Sequence, residues 1–210
     1  MLSRPQPYPS GCVVKSITGA LVGSDARTRW EVRVFADEAP NAFALPGGKV
    51  GVNTGLLRVA SNQHQLAAVI GHEIAHVLEG HSNERVSQGM LAQSAMSAVE
   101  AAVDAGNPMH GQMLGLLGAG VQVGVLLPFG REHENEADLL GLEHMARAGF
   151  DPRESVGLWR NMAAAGKGQP PEFLSTHPSH GTRIQNLTRH MSRAMLLHEK
   201  AMARGLRPRC

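Results

Sequence analysis

The sequence predicts one α+β domain that is mainly helical and has a short antiparallel sheet near its beginning. Three observations indicate this fold class. The chain has 210 residues, enough for one domain with a proper core. Residues 30–35 alternate between apolar and charged side chains, as a strand does. After Thr54, apolar residues recur at the three- and four-residue spacing of helices.

Two further short strands are predicted at residues 42–45 and 50–53. They flank residues 46–49, a Pro-Gly-Gly-Lys segment that is typical of a tight turn. We predict an N-terminal arm over residues 1–29, one domain over 30–205 and a C-terminal tail over 206–210.

The helical part begins at Ser61 or Asn62, either of which can cap a helix that runs through Val77. A second helix is expected from residue 84 to 105. Residues 113–127 are apolar but number fewer than the roughly 20 that span a bilayer, so we predict a buried helix rather than a membrane-contacting hairpin.

Composition excludes some functions. The 20 basic and 18 acidic residues leave a net charge of +2, and aromatic residues make up 4%, so nucleic acid is not an expected partner. The 11 histidines direct attention to metal binding. Cys12 and Cys210 either pair or remain free thiols, and the sequence leaves both open.

The motif His72-Glu73-Ile74-Ala75-His76 carries the chemistry. Helix positions four apart share a face, so His72 and His76 can direct two imidazole nitrogens at one ion. Glu73 lies about 100° round the helix, where it reaches a water on that ion rather than the ion itself. This arrangement indicates metal-assisted hydrolysis, with Glu73 as the general base.

A catalytic zinc needs a third protein ligand and one open position. His81 does not stand at the spacing of the third histidine of metzincins, so we expect it to face elsewhere without a role. Glu134 and Asp138 are the better candidates because they are four residues apart in an acidic helical run. Glu134 can ligate while Asp138 accepts from the outer nitrogen of a ligating histidine. Glu136 is expected to point away, solvated or paired with a basic residue.

These residues, with Glu-Asn-Glu-Ala-Asp-x-x-Gly from Glu134 and Pro-Asn-Ala-Phe-Ala-Leu-Pro-Gly-Gly from Pro40, resemble the M48 family of zinc metallopeptidases. The family belongs to the gluzincin group. The resemblance covers roughly residues 30–190 and is nearest to the soluble BepA/LoiP-like bacterial branch and to the family's mitochondrial stress protease. It implies a zincin-like fold with the sheet beside the motif helix.

The resemblance implies His72, His76 and Glu134 as ligands of one Zn²⁺ and Glu73 as general base. It implies a proton-donor role for Asp138, although an ionised carboxylate fits the outer-nitrogen role better. It also implies that an edge strand binds substrate backbone, through Asn41, Ala42, Phe43 and Ala44. His177 is expected as a fourth, switchable ligand, with a transition-state contact and plain loop packing as the alternatives. Arg183 is expected either to stabilise the oxyanion or to pair with the acidic run.

The predicted function is a zinc-dependent endopeptidase in protein quality control, acting on unfolded or misassembled polypeptides and contacting a membrane surface. Two alternatives stay open. One is a chaperone-like module that binds clients with little cutting, held shut by His177, and the other is a hydrolase of non-peptide substrates. The expected location is the periplasmic side of a bacterial envelope, although no signal peptide precedes Cys12.

Overall fold

A computed structural model describes residues 9–21, 28–102, 110–121, 127–165 and 183–210. Within these residues the chain forms three strands and eight helices, and the mainly helical α+β fold class is confirmed. The strands are β1 (Glu31–Phe35), β2 (Ala42–Leu45) and β3 (Lys49–Asn53); the helices are α1 (Pro9–Gly19), α2 (Thr54–Val59), α3 (Gln63–Leu78), α4 (His81–Ala102), α5 (His110–Val121), α6 (Leu127–Arg147), α7 (Glu154–Ala165) and α8 (Arg183–Ala203).

The sheet has the order β1-β3-β2, with β2 at one edge. β2 and β3 form the predicted antiparallel hairpin, turned by Gly47 and Gly48 with φ of +86° and +80°, a region that favours glycine. β1, however, pairs parallel to β3, so the expectation of a purely antiparallel sheet was wrong. Side-chain alternation is the same in both kinds of pairing, and it therefore could not reveal the direction of β1.

Helix α1 and the residues that follow α8 pack onto the rest of the domain. The arm predicted over residues 1–29 contains α1, whose Val13, Val14 and Ile17 are buried in the core. The short apolar pattern was hidden among proline, serine and glycine. A disulfide joins Cys12 to Cys210, with the Cα atoms 5.6 Å apart. The predicted boundaries at residues 29 and 205 stay a prediction.

Helix α3 lies at the centre of the fold. Its N-cap is Asn62, whose side chain accepts hydrogen bonds from the backbone N–H groups of His64 and Gln65, both at 2.9 Å. The helix packs against α1, α6, α7 and β2. Because it is covered on several sides, apolar and polar side chains alike are buried along it, including the whole His72–His76 motif.

The helices α3 and α6 cross at two facing glycines, Gly71 and Gly141. A Cβ on Gly141 would lie 2.6 Å from the backbone nitrogen of His72, and one on Gly71 would lie 2.8 Å from the carbonyl oxygen of Gly141. Neither space admits a methyl group. The absence of side chains at both positions lets the two backbones touch beside the histidine motif.

The helices α4 and α5 pack loosely against the rest. The helix predicted over residues 84–105 is present as α4 up to Ala102, where this stretch of described residues ends. The expectation of a buried helix within residues 113–127 was wrong for the described part, because Leu116 is 69% exposed on α5. Val86, Met90 and Leu91 of α4 are also exposed. In the described residues, no helix combines the length and apolarity that crossing a membrane requires.

The glycine crossing can be tested with Gly141→Ala. We expect a loss of about 1–3 kcal/mol in the free energy of unfolding, because the added methyl group overpacks the crossing. Gly130→Ala is the control in the same helix, where an added Cβ has no neighbour within 4 Å. It should gain up to about 1 kcal/mol from helix propensity. Urea denaturation measures both, and equal stability of the two variants would contradict the packing argument.

Candidate metal centre

Three buried side chains from α3 and α6 converge on one point. The Nε2 atoms of His72 and His76 are 3.0 Å apart. The Glu134 carboxylate lies beside both, with Oε2 3.3 Å from Nε2 of His72 and Oε1 3.4 Å from Nε2 of His76. One donor atom from each residue falls within 4.8 Å of the others, and no second group of this kind occurs in the described residues. The structure thus brings together the three ligands expected from the sequence.

The charges around this point fit a divalent cation. Glu73, Glu134 and Asp138 are all at most 5% exposed, and Arg183 is the single buried cation beside them in the described residues. With ionised carboxylates and neutral histidines, three negative charges face one positive charge, and burying like charges together is costly. Two imidazoles and one carboxylate are also the donor set of many catalytic zinc sites. The residues present fit a zinc ion.

Protonation of His72 reflects the same surplus of negative charge. Burial lowers the pKa of this imidazole, and so does the neighbouring Arg183, but hydrogen bonds with Asp138 and Glu134 raise it to about 9. In the absence of a cation, a proton on His72 partly offsets the carboxylates. The site is therefore built to hold positive charge between its histidines and Glu134.

Asp138 holds the other nitrogen of His72. Its Oδ1 lies 3.0 Å from Nδ1 of His72, so the imidazole N–H can donate to the carboxylate and leave Nε2 for a metal. Burial raises the pKa of Asp138, but Arg183 and the His72 hydrogen bond outweigh burial and lower it overall. An ionised carboxylate suits this orienting role better than the proton-donor role that the family resemblance implies.

Arg183 is the first residue of α8, and two nitrogens of its side chain contact the carboxylate of Asp138. Nη2 lies 2.6 Å from Oδ1, and Nε lies 2.5 Å from Oδ2. The guanidinium also stacks 3.6 Å above the ring of Trp159 on α7. These contacts form an ion pair with the acidic run, which is one of the two roles that the sequence allowed for Arg183. The alternative oxyanion role of Arg183 stays a prediction.

His81 lies beside the site, and the expectation that it faces elsewhere was wrong. The residue was expected to face elsewhere without a role, yet it is 2% exposed and its Nδ1 lies 2.8 Å from Nδ1 of His76. Its Nε2 lies 3.1 Å from Oε2 of Glu136. His133 stacks on the ring with 4.3 Å between centroids. Gly80, with φ of +71°, turns the chain before α4, and helical spacing counted from α3 no longer applies there.

Glu73 links the motif helix to the sheet edge. Its Oε2 accepts a hydrogen bond from the backbone N–H of Ala44 at 3.2 Å. Of the predicted substrate-binding residues, Asn41 and Ala42 lead into and begin the same edge strand, with Ala42 buried. Phe43 points to the outer face, over Gly51 and against Phe35. The structure places this strand beside the predicted general base. His177 lies outside the described residues, and its ligand role stays a prediction.

Comparison with known protein families agrees with this geometry. The model of peptidase family M48 matches residues 12–191, which is most of the chain. The chain belongs to peptidase family M48. Membership confirms the resemblance seen in the sequence.

The M48 relatives carry metalloendopeptidase and protease names. The chain is 36% identical to mitochondrial metalloendopeptidase OMA1 of Schizosaccharomyces pombe over 93% of its own length and 57% of the relative. It is 35% identical to the human mitochondrial metalloendopeptidase OMA1, over 83% of this chain and 34% of the relative. It is 32% identical to the beta-barrel assembly-enhancing protease of Yersinia pestis, over 85% of this chain and 37% of the relative. The chain thus spans a third to somewhat over half of these proteins.

These relatives overturn the predicted location. A periplasmic position in a bacterial envelope was expected, whereas the relatives with 35 and 36% identity are named as mitochondrial proteins. The bacterial relative, at 32%, is more distant. The periplasmic expectation was therefore wrong. It rested on a resemblance to a bacterial branch of M48, and the residues that carry this resemblance contain no targeting signal.

The buried Asp138–Arg183 pair can be tested by a double-mutant cycle in the metal-free protein. Arg183→Gln should cost about 3–5 kcal/mol of unfolding free energy, because it leaves a buried carboxylate without its partner. Combining it with Asp138→Asn should cost less than the two single changes added together. Arg153→Gln is the control, since its ion pair with Asp151 is exposed and should contribute little. Additive losses in chemical denaturation would argue against the coupling.

Proposed function

We propose that this chain is a zinc-dependent endopeptidase in which His72, His76 and Glu134 hold the ion and Glu73 is the general base. The observation that carries the proposal is the convergence of two histidines and one carboxylate in a pocket short of positive charge, with a second carboxylate at the adjoining strand. M48 membership and the names of the relatives support it.

The proposed chemistry divides between the ion and the chain. A bound zinc ion supplies Lewis acidity, which polarises the peptide carbonyl and makes water more acidic. Glu73 takes the proton from the attacking water and passes it to the leaving amine nitrogen. Asp138 keeps Nδ1 of His72 protonated, so that its Nε2 remains available. The sequence shows no serine or cysteine nucleophile motif, and we expect no covalent intermediate.

The edge strand β2 is the proposed substrate platform. It is paired with β3 on one side, and its Ala44 N–H points to Glu73 on the other. An extended peptide added along this edge would hydrogen-bond through its backbone and pass directly by the base. Backbone recognition requires a locally unfolded chain and depends little on side chains. We therefore propose unfolded or misassembled proteins as substrates, and a role in quality control.

We also propose that α4 and α5 contact a membrane surface. Val86, Met90 and Leu91 of α4 and Leu116 of α5 are each more than 60% exposed on two helices that contact each other, and exposed apolar patches mark protein or membrane contacts. Sedimentation with phospholipid vesicles tests this contact. The native protein should bind, and a Met90→Ser/Leu91→Ser variant should bind at least several-fold less. Equal binding by both would refute the contact.

Glu73→Gln is the decisive variant for catalysis. Purified native protein should hold about one zinc per chain, and chelation should abolish cleavage of casein. Glu73→Gln should retain the zinc but lose about 10²- to 10⁴-fold in cleavage rate, because the base is gone while the ligands remain. Glu132→Gln, at an exposed position of α6, is the control and should cleave normally.

Three results would contradict the proposal. Native protein without stoichiometric zinc would remove the metal site. Unchanged handling of an unfolded client by Glu73→Gln, with negligible cleavage by the native protein, would favour the chaperone-like alternative. Cleavage of esters or small amides but not of peptides would favour a non-peptide hydrolase.

A further inference from the structure

His76 is contacted on both of its ring nitrogens. Its Nε2 faces His72 and Glu134 in the candidate metal centre, while its Nδ1 lies 2.8 Å from Nδ1 of His81. Asp138 contacts the outer nitrogen of His72 in the same way. Each of the two histidines in the metal centre therefore has its own outer partner, one a carboxylate and the other an imidazole.

The tautomers along this contact follow from bonding alone. If Nε2 of His76 binds a cation, its proton must reside on Nδ1, which then donates to Nδ1 of His81. His81 must accept there, so its own proton resides on Nε2, 3.1 Å from Oε2 of Glu136. Each N–H in the series from His76 to Glu136 has an acceptor, and no two protons face each other.

The surroundings favour a single orientation of the His81 ring. It is buried at the beginning of α4, and the ring of His133 lies parallel to it with an interplanar angle of 13°. His133 in turn contacts Glu84 through Nε2 at 3.0 Å. Glu136 belongs to α6, the helix that also carries Glu134, so the contact from His81 joins α4 to the acidic run.

We infer that His81, with Glu136 behind it, is a positioning residue that orients His76 and fixes its proton on Nδ1 for metal binding. The inference rests on the proposed zinc site and extends it to the start of α4. His81 does not itself touch the ion, because its Nδ1 faces a ring nitrogen of His76 that points away from the centre. It acts on affinity for the metal through the basicity and the orientation of His76.

The test is the zinc dissociation constant of the full chain, measured by competition with a chromophoric chelator. His81→Phe keeps a flat ring against His133 but removes the acceptor, and should weaken zinc binding about 10- to 100-fold. His81→Asn retains a side-chain oxygen that can accept from His76 and should recover part of the loss. The Co²⁺-substituted protein should show a shifted visible absorption band in His81→Phe.

Glu136→Gln and Glu84→Gln form a matched pair that does not depend on burying a new side chain. Both carboxylates are about half-exposed, at 52% and 50%, and each contacts one ring of the stacked histidines. Of the two, only Glu136 contacts His81, the ring that in turn contacts His76. Glu136→Gln should weaken zinc binding severalfold, by less than His81→Phe, and Glu84→Gln should leave it unchanged. This pair decides the matter if His81→Phe does not fold in the metal-free state.

The outcomes separate this inference from the proposed function. Zinc binding and cleavage by the native protein, with His81→Phe binding zinc within twofold of it, would overturn the positioning role and leave the peptidase intact. Equal effects of Glu136→Gln and Glu84→Gln would overturn it as well, since a merely structural role would not distinguish them. A native protein that binds no zinc would overturn both proposals.

Discussion

The structure depends on the close approach of α3 and α6 at Gly71 and Gly141. The two backbones touch there, one residue before His72. Because Glu134 and Asp138 lie on α6 less than two turns before Gly141, the crossing sets the distance from which both carboxylates reach the histidines. A wider crossing would leave His72 and His76 facing an empty space. The local chemistry thus depends on two residues without side chains.

The close approach brings charges together in a pocket that is largely shielded from bulk solvent. Three carboxylates are buried around the two histidines, and such a group cannot persist without compensation. Arg183 compensates in part, and the indole ring of Trp159 beneath its guanidinium strengthens that arrangement. The negative charge that Arg183 does not offset favours the binding of a divalent cation in the pocket. The same buried negative charge therefore lowers the stability of the metal-free protein and raises its affinity for a cation.

Much of the site was predictable because it follows helical geometry. The spacing of His72 and His76 within α3, and of Glu134 and Asp138 within α6, predicted which side chains share a face, and the structure brings these faces together. His81 escaped the same reasoning, because Gly80 ends the helix and the next turn starts in a new direction. Helix-wheel arguments hold only inside one helix.

Other parts of the fold depend on information that a single sequence does not display. The direction of β1 against β3 is decided by the path of the chain between strands, which alternation does not encode. Leu116 and Leu117 of α5 are exposed, so an apolar sequence did not guarantee burial. Helix α1 was hidden by its unfavourable composition, and only its packing against α3 explains why it forms.

The bond between Cys12 and Cys210 turns nearly the whole chain into a closed ring. A ring has to be opened twice before it separates into two pieces. Any single nick between these cysteines, including one that a peptidase inflicts on a neighbouring copy of itself, leaves the fragments covalently tied. A nick adds only one water molecule to the mass, and the two fragments separate only after the sulfurs are reduced, so the nicked molecule keeps both pieces beside the core.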